Sequence, residues 1–442
     1  MPVSSDALYA WHAADGALQR LLPPFDKAEV VEASGPFASR RVVIRVNVMG
    51  PVWQTLEAKH QNAVPGESFQ DVQGNGPFSV WEHTHSFPAT NEGSELVDHI
   101  EYTLPMGILG QTFGGAFARA RIDRMFDFRH QRTREDLARH QDGPTMPLRI
   151  AITGASGLIG TQLGAFLRAG GHTVLPLVRR DAKPGEIAWD PARRTIDTRA
   201  LEGVDVVVHL AGENVAGGRW TEKRKRDVMS SRVDGTHTIA TAMAQLDKKP
   251  LLISASAVGY YGDTGDTLVD ESSPAGTGFL ADVCRAWEAA ADPARAAGVR
   301  VVHPRIGVVL SGAGGAVGEM KTPFLFGAGG PVGSGKQWFP WIAMDDTVGA
   351  LHHLMTAGLE GPVNLVAPAP VRQAEFAKVL GRVLGRPAVL PLPAFAVRAI
   401  FGEMGEGVLL AGQRVAPKRL LESRFRYLRE DLEQALRFEL GK

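Results

Sequence analysis

The sequence predicts an α/β protein: a Rossmann-like, doubly wound parallel sheet, preceded by an α+β unit and followed by a small α-rich domain. Three observations predict it. A glycine triplet sits between an apolar run and a helical segment, strand-like and helix-like segments alternate after residue 148, and that alternation is missing before it. At 442 residues the chain is long enough for about two to four folding units.

Residues 1–145 form the first unit. Strand-like segments run from Arg41 to Met49, Pro77 to Phe87 and Leu96 to Leu104, separated by turn formers such as Asn75-Gly76 and Asn91-Glu92-Gly93, which reads as an antiparallel arrangement. After Pro105, Phe113, Phe117, Ile122, Met125, Phe126 and Leu137 recur near helical spacing, so one helix over Gly110 to His140 is expected to cover the sheet. His83 and His85 alternate along a strand and share one side. No third ligand is evident in the sequence, so they read as hydrogen-bonding residues and no metal site is expected. Pro77-Phe-Ser-Val-Trp-Glu-His-Thr-His-Ser-Phe87, Asp98-His-Ile-Glu-Tyr-Thr-Leu-Pro105 and Phe126-Asp-Phe-Arg129 together resemble the START-like helix-grip (SRPBCC) ligand-binding superfamily. That resemblance implies a curved sheet wrapped round a C-terminal helix, with an apolar cavity for an apolar ligand. The chain passes almost directly into Asp6 to His12, so the first strand of such a fold is expected to be short or missing.

Gln141-Asp-Gly-Pro-Thr-Met-Pro147 is rich in turn formers and marks the boundary to a second unit, residues 148–372. Ile150 to Ile152 predicts a buried strand, and Leu158 to Ala169 a helix. Between them Gly154, Gly157 and Gly160 keep side chains away from a pyrophosphate, which would meet the positive end of the helix; Gly160 also lets the helix lie close on the strand. Thr173 to Val178 follows at the distance a βαβ unit requires. It ends at Arg179-Arg180, where an arginine accommodates the 2′-phosphate of NADP; Asp181 beside them is able to reach a ribose instead. Val204 to Leu210 supplies the next strand. The small residues of His209-Leu-Ala-Gly-Glu213 let an adenosine lie against the backbone. Helices are expected from about Thr221 to Met229 and from Asp234 to Ala244, with strands at Leu251 to Ser254 and Val299 to Val302.

Gly154-Ala-Ser-Gly-Leu-Ile-Gly160, His209-Leu-Ala-Gly-Glu-Asn214 and Ser254-Ala-Ser-Ala-Val-Gly-Tyr-Tyr-Gly262 resemble the extended short-chain dehydrogenase/reductase superfamily. Arg219-Trp-Thr221, Ser231-Arg232, Trp287-Glu288, Arg305-Ile-Gly-Val-Val-Leu310 and Trp341-Ile-Ala-Met-Asp-Asp346 resemble, more narrowly, its sugar-nucleotide-epimerase-like "epimerase family" branch, some members of which carry a cell-division-inhibitor label. The likeness continues through Pro362-Val-Asn364, Arg386-Pro387 and Pro391-Leu-Pro393 to Gly412-Gln-Arg-Val-Ala-Pro417, in the C-terminal domain of unknown function of that branch, residues 373–442 here. It implies NADP as cofactor, contacted by Gly154, Ser156, Gly157, Leu158, Ile159, Gly160, Arg179, Leu210, Ala211, Gly212, Glu213, Ser254 and Arg305. Extended members use a serine or threonine with a Tyr-x-x-x-Lys helix. Ser256 matches the serine. Aligning on Glu288 puts Leu280 and Cys284 where the tyrosine and lysine would stand, which leaves Tyr260 or Tyr261 as the candidate proton donor and makes Cys284 an inert core thiol.

Several features are excluded or reassigned. Gly330-Pro-Val-Gly-Ser-Gly-Lys336 has the spacing of a phosphate loop, but Gln337 stands where the magnesium-binding hydroxyl belongs. The run from Gly312 to Gly335 is expected to form a mobile flap, and Glu222-Lys-Arg-Lys-Arg-Asp227 a solvated helix face. Helical patterns recur at Phe376 to Leu384, Ala394 to Phe401, Val408 to Leu410 and Leu428 to Phe438. Lysine plus arginine equal aspartate plus glutamate at 48 each, so no global field draws in nucleic acid. A single cysteine and the lack of an export signal or membrane span point to the cytoplasm. Two functions follow. One is an NADP-dependent oxidoreductase or epimerase acting on a small carbonyl or nucleotide-sugar-like molecule. The other is a non-catalytic NADP-dependent sensor or adaptor coupled to the N-terminal ligand-binding module.

Overall fold

The computed structural model describes residues 1–49 and 52–442. Its contacts divide into two units. One is Met1–Asp142 with Ala165–Gly171 and Gly441; the other is Gly143–Gly164 and His172–Leu440 with Lys442.

In the first unit six antiparallel strands lie side by side in chain order: Ala28–Ser34, Arg41–Met49, Val52–Val64, Ser68–Asn75, Val80–Ser86 and Val97–Thr103. The first, third and fourth were not legible in the sequence. Ala28–Ser34 and Val52–Val64 lie mostly at the surface, and Ser68–Asn75 is polar apart from Phe69, Val72 and Gly74, so the apolar alternation that marks a strand is weak. Asp6 to His12 is helical, within Ser5–Ala13, where the Ser4 hydroxyl caps the Ala7 amide at 3.3 Å. The long helix spans Gly107–Gln141. Phe126 and Leu137 are buried in the core, but Phe117, Ile122 and Met125 face a cavity of about 750 Å³ whose opposite wall includes Val42, Ile44, Leu56, Phe69 and Trp81 of the sheet. The predicted apolar stripe thus lines a cavity as well as a core. The Phe113 side chain lies outside the described residues.

The second unit centres on a nine-stranded sheet. Its order is Thr195–Ile196, Ile187–Asp190, Thr173–Val178, Arg149–Thr153, Val206–His209, Leu251–Ser254, Val301–Ile306 and Ser256–Ala257, with Gly361–Leu365 also beside Val301–Ile306. All pairings are parallel except that of Ile187–Asp190 with Thr195–Ile196. The chain returns across the sheet between Thr173–Val178 and Val206–His209, so strand order reverses beside Arg149–Thr153. Crevices open at such points, beyond the carboxyl ends of the strands.

Three expectations need correction. Glu222–Gln245 is one helix rather than two. Gly235 does not break it, because a Cβ there would come within 3.2 Å of His209 Cε1; the glycine allows the helix to lie close on the strand. The glycine-rich run is not a loop throughout. It contains the helix Gly315–Leu325, whose Val317 and Phe324 are buried in a core with Phe376 and Leu436. The final helix starts at Leu432, not Leu428, because Asp346 accepts hydrogen bonds from the Leu428 and Arg429 amides at 2.7 and 3.0 Å and holds that stretch as a turn. Among the described residues no helix is long and apolar enough to cross a membrane.

Candidate functional site

The site is built at the point where strand order reverses. Arg149–Thr153 ends in Gly154, whose backbone is left-handed (φ +66) and whose Cβ, if present, would come within 3.0 Å of the Ala211 amide nitrogen. A Cβ at Gly160 would stand 2.1 Å from the Gly154 carbonyl oxygen, so only glycine allows the helix Leu158–Ala169 to close down on the turn. Ser156 and Gly157 are exposed at the helix opening, and by helix geometry the Leu158 and Ile159 amides have no acceptor one turn back. This is a cradle for an anion.

The neighbouring strand end is fixed by Thr153. Its hydroxyl lies 2.7 Å from His209 Nδ1 and accepts the Leu210 and Ala211 amides, both at 3.1 Å. Burial holds the His209 imidazole neutral, its pKa pushed down to about 3, with the Arg232 charge adding to the effect. Leu210, Ala211 and Glu213 are half-buried and Gly212 is exposed. Glu213 pairs with Arg224 at 2.8 Å. Arg232, under Gly212, donates to the carbonyls of Glu213 and Val228. Ser254, at the end of the next strand, is fully buried and its hydroxyl has no hydrogen-bond partner among the described residues.

The two arginines after Thr173–Val178 part company. Arg180 forms a fork with Glu186, both contacts at 2.7 Å, and this pair draws the Glu186 carboxyl down to about 2. Arg179 is exposed and, among the described residues, no hydrogen bond or ion pair engages it.

Farther along the sheet, Ser256 and Arg305 are register partners on adjacent strands. Glu288, from the helix Phe279–Ala289, accepts the Ser256 hydroxyl at 2.7 Å and Arg305 at 2.8 and 2.9 Å. Arg305 also donates to the Tyr261 hydroxyl at 3.0 Å, and that hydroxyl donates to Asn364 at 2.7 Å. The guanidinium lies 3.4 Å from the centre of the Tyr260 ring. Burial raises the Glu288 carboxyl, but the Arg305 bonds outweigh it and the net shift is downward; for Tyr261 burial wins, and its phenol is pushed up to about 12. Cys284 is buried, its thiol raised to about 11 by burial, and donates weakly to the Ala257 carbonyl at 3.6 Å. Leu280 and Cys284 supply no proton carrier.

The glycines, residues 156–159 and 210–213, Arg179 and Ser254 thus lie at or just beyond the carboxyl ends of four consecutive parallel strands, and Ser256 and Arg305 belong to a buried network farther along the sheet. Two contributors were missed from the sequence as site residues. Thr153 directly precedes the first glycine, a usable signal; Glu288 stands in the Trp287-Glu288 motif, but its bond to Ser256 spans 32 residues and is not legible there.

Known proteins resemble this chain. The NAD dependent epimerase/dehydratase family matches residues 150–366, and a domain of unknown function (DUF1731) matches residues 392–439. An epimerase family protein of Mycobacterium bovis is 47% identical over 289 residues, covering 65% of this chain and 96% of the relative. A crystal structure of a nucleoside-diphosphate sugar epimerase from Corynebacterium glutamicum matches with TM-score 0.82 and 34% identity, over 100% of this chain and 89% of its own. The human epimerase family protein SDR39U1 (isoform 2), solved with NADPH, matches with TM-score 0.61 and 37% identity, over 66% of this chain and 99% of its own.

Proposed function

Because the chain belongs to the NAD dependent epimerase/dehydratase family, we propose that it binds NADP(H) in the glycine crevice and carries out oxidoreductase or epimerase chemistry on a small carbonyl or nucleotide-sugar-like molecule. The observation that carries the reading is the pairing of a cradle only glycine permits, at Gly154 and Gly160, with an uncommitted cation, Arg179, at the end of the adjoining strand. The NADPH in the human relative's structure supports it. The opening helix amides would hold the diphosphate, Arg179 the 2′-phosphate, and the backbone of Leu210 to Glu213 the adenosine. NADP(H) supplies hydride transfer when bound. Ser256, which best matches the superfamily's serine, would polarise a substrate carbonyl after turning from Glu288.

Titration with NADPH and NADH checks the cofactor assignment. Arg179→Asp should weaken NADPH much more than NADH, because it replaces a phosphate partner with a like charge. Equal losses for both would remove Arg179 from the site.

A second reading has its own observation. The Ser256 hydroxyl is spent on Glu288, and Leu280 and Cys284 stand where a tyrosine and lysine would transfer a proton. This favours a sensor that binds NADP(H) without turnover, coupled to an N-terminal START-like module whose 750 Å³ cavity takes an apolar ligand. Turnover abolished in Ser256→Ala decides for the enzyme; binding without turnover across a broad carbonyl and sugar-nucleotide screen decides for the sensor. The single, buried Cys284 supports a cytoplasmic setting for either.

A further inference from the structure

The first unit brings together what its sequence keeps apart. His83 and His85 lie on Val80–Ser86, and the register sets Asp71 opposite His83 on one neighbouring strand and Asp98 opposite His85 on the other. His60 is in turn opposite Asp71. All five residues therefore share one sheet face, and His60, Asp71, His83 and His85 line the apolar cavity.

We infer that Asp71, His83 and His85 bind a divalent first-row transition-metal ion at the wall of this cavity. One ligand atom from each residue lies within 4.8 Å of the others. Asp71 Oδ2 is 3.2 Å from His85 Nε2 and 3.9 Å from His83 Nδ1. Ligands held at roughly 2.0–2.2 Å from one ion stand roughly 3–3.5 Å apart, so the three need only a small side-chain movement to share it. Asp98 Oδ1 is hydrogen-bonded to His83 Nε2 at 2.9 Å, as the outer carboxylate that orients a metal-bound imidazole, and stands 2.7 Å from His85 Nδ1 without hydrogen-bond alignment. His60 Nε2 lies 3.0 Å from the other Asp71 oxygen and steadies it in the same way. Two imidazoles and one carboxylate suit Fe²⁺, Co²⁺ or Zn²⁺ and leave coordination positions open. Phe69 stacked on His85 and Phe126 edge-on to His83 keep the surroundings apolar.

The full chain, freed of metal with a chelator and titrated with Co²⁺ alone, should take up one equivalent and develop visible ligand-field bands that Zn²⁺ abolishes. His83→Ala, His85→Ala and Asp71→Asn should each remove the bands. Asp98→Asn, which keeps the ligands but loses their orienting charge, should weaken Co²⁺ by about 10–100-fold. X-ray absorption on the wild-type Co²⁺ complex should show two imidazoles and an oxygen donor, which decides the matter without any variant that might misfold. Lack of Co²⁺ uptake by the wild type, or a bound ion with no imidazole in its shell, would overturn the assignment.

Discussion

Two parts of the second unit, both at the carboxyl ends of parallel strands, handle polar groups in opposite ways. Around Gly154 the chain leaves groups open: helix-opening amides, an exposed Arg179, and a buried Ser254 hydroxyl without a partner. Around Ser256 the side chains engage one another. The serine, Glu288, Arg305, Tyr261 and Asn364 satisfy one another in a chain that ends with Asn364 donating to the Ala416 carbonyl at 2.9 Å. Buried polar groups left without partners cost free energy, so a fold tolerates them where a ligand completes them. The contrast teaches that the polar groups beside the glycine turn are left for something outside the chain to satisfy, while those around Ser256 are spent on holding strands and helix together.

The contrast can be broken most forcefully at Glu288. Arg305 is 3% exposed, so Glu288→Ala strands a buried charge and should cost about 3–5 kcal/mol in urea unfolding. A loss below about 1 kcal/mol, the scale of an exposed pair, would mean that the network is not engaged as described. Next is Gly160→Ala. Its Cβ would overlap the Gly154 carbonyl, which should cost about 1–3 kcal/mol and reduce NADPH affinity together with stability; unchanged stability and affinity would show that the turn yields easily.

A smaller effect concerns pH. His209 has its folded-state pKa depressed to about 3 from an ordinary value of 6.5, so the neutral ring favours the folded state. That contribution is fully present above pH 6.5 and is lost progressively as the pH falls from there towards 3. Stability measured at pH 7.5 and 5.5 should therefore drop, and His209→Gln should flatten the drop; an equal drop in the variant would assign it to other groups. The smallest effect is expected at Cys284. A thiol raised to about 11 and buried should resist labelling at pH 8 in the native chain and react only on unfolding. Fast native labelling would reopen a catalytic role for it.

Legibility followed the distance between cooperating residues. Gly154, Gly157 and Gly160 declare a strand, turn and helix because every demand they meet is made within a few residues. The Ala394–Phe401 helix was read to the residue for the same reason. The apolar pattern suggests two helices, Thr221 to Met229 and Asp234 to Ala244, and only the packing of Gly235 on His209 shows how one helix, Glu222–Gln245, runs through.

The sequence by itself determined the parallel sheet and the glycine turn, and offered Arg179 beside Arg180 as a candidate phosphate partner, since apolar periodicity and backbone permission are local properties. Only the tertiary structure decided that Glu288 closes on Ser256 and Arg305, that Arg180 rather than Arg179 is taken by Glu186, and that two aspartates meet His83 and His85. Strand register and helix docking place those partners, and both are fixed by burial summed over whole elements rather than by the identity of any neighbouring residue.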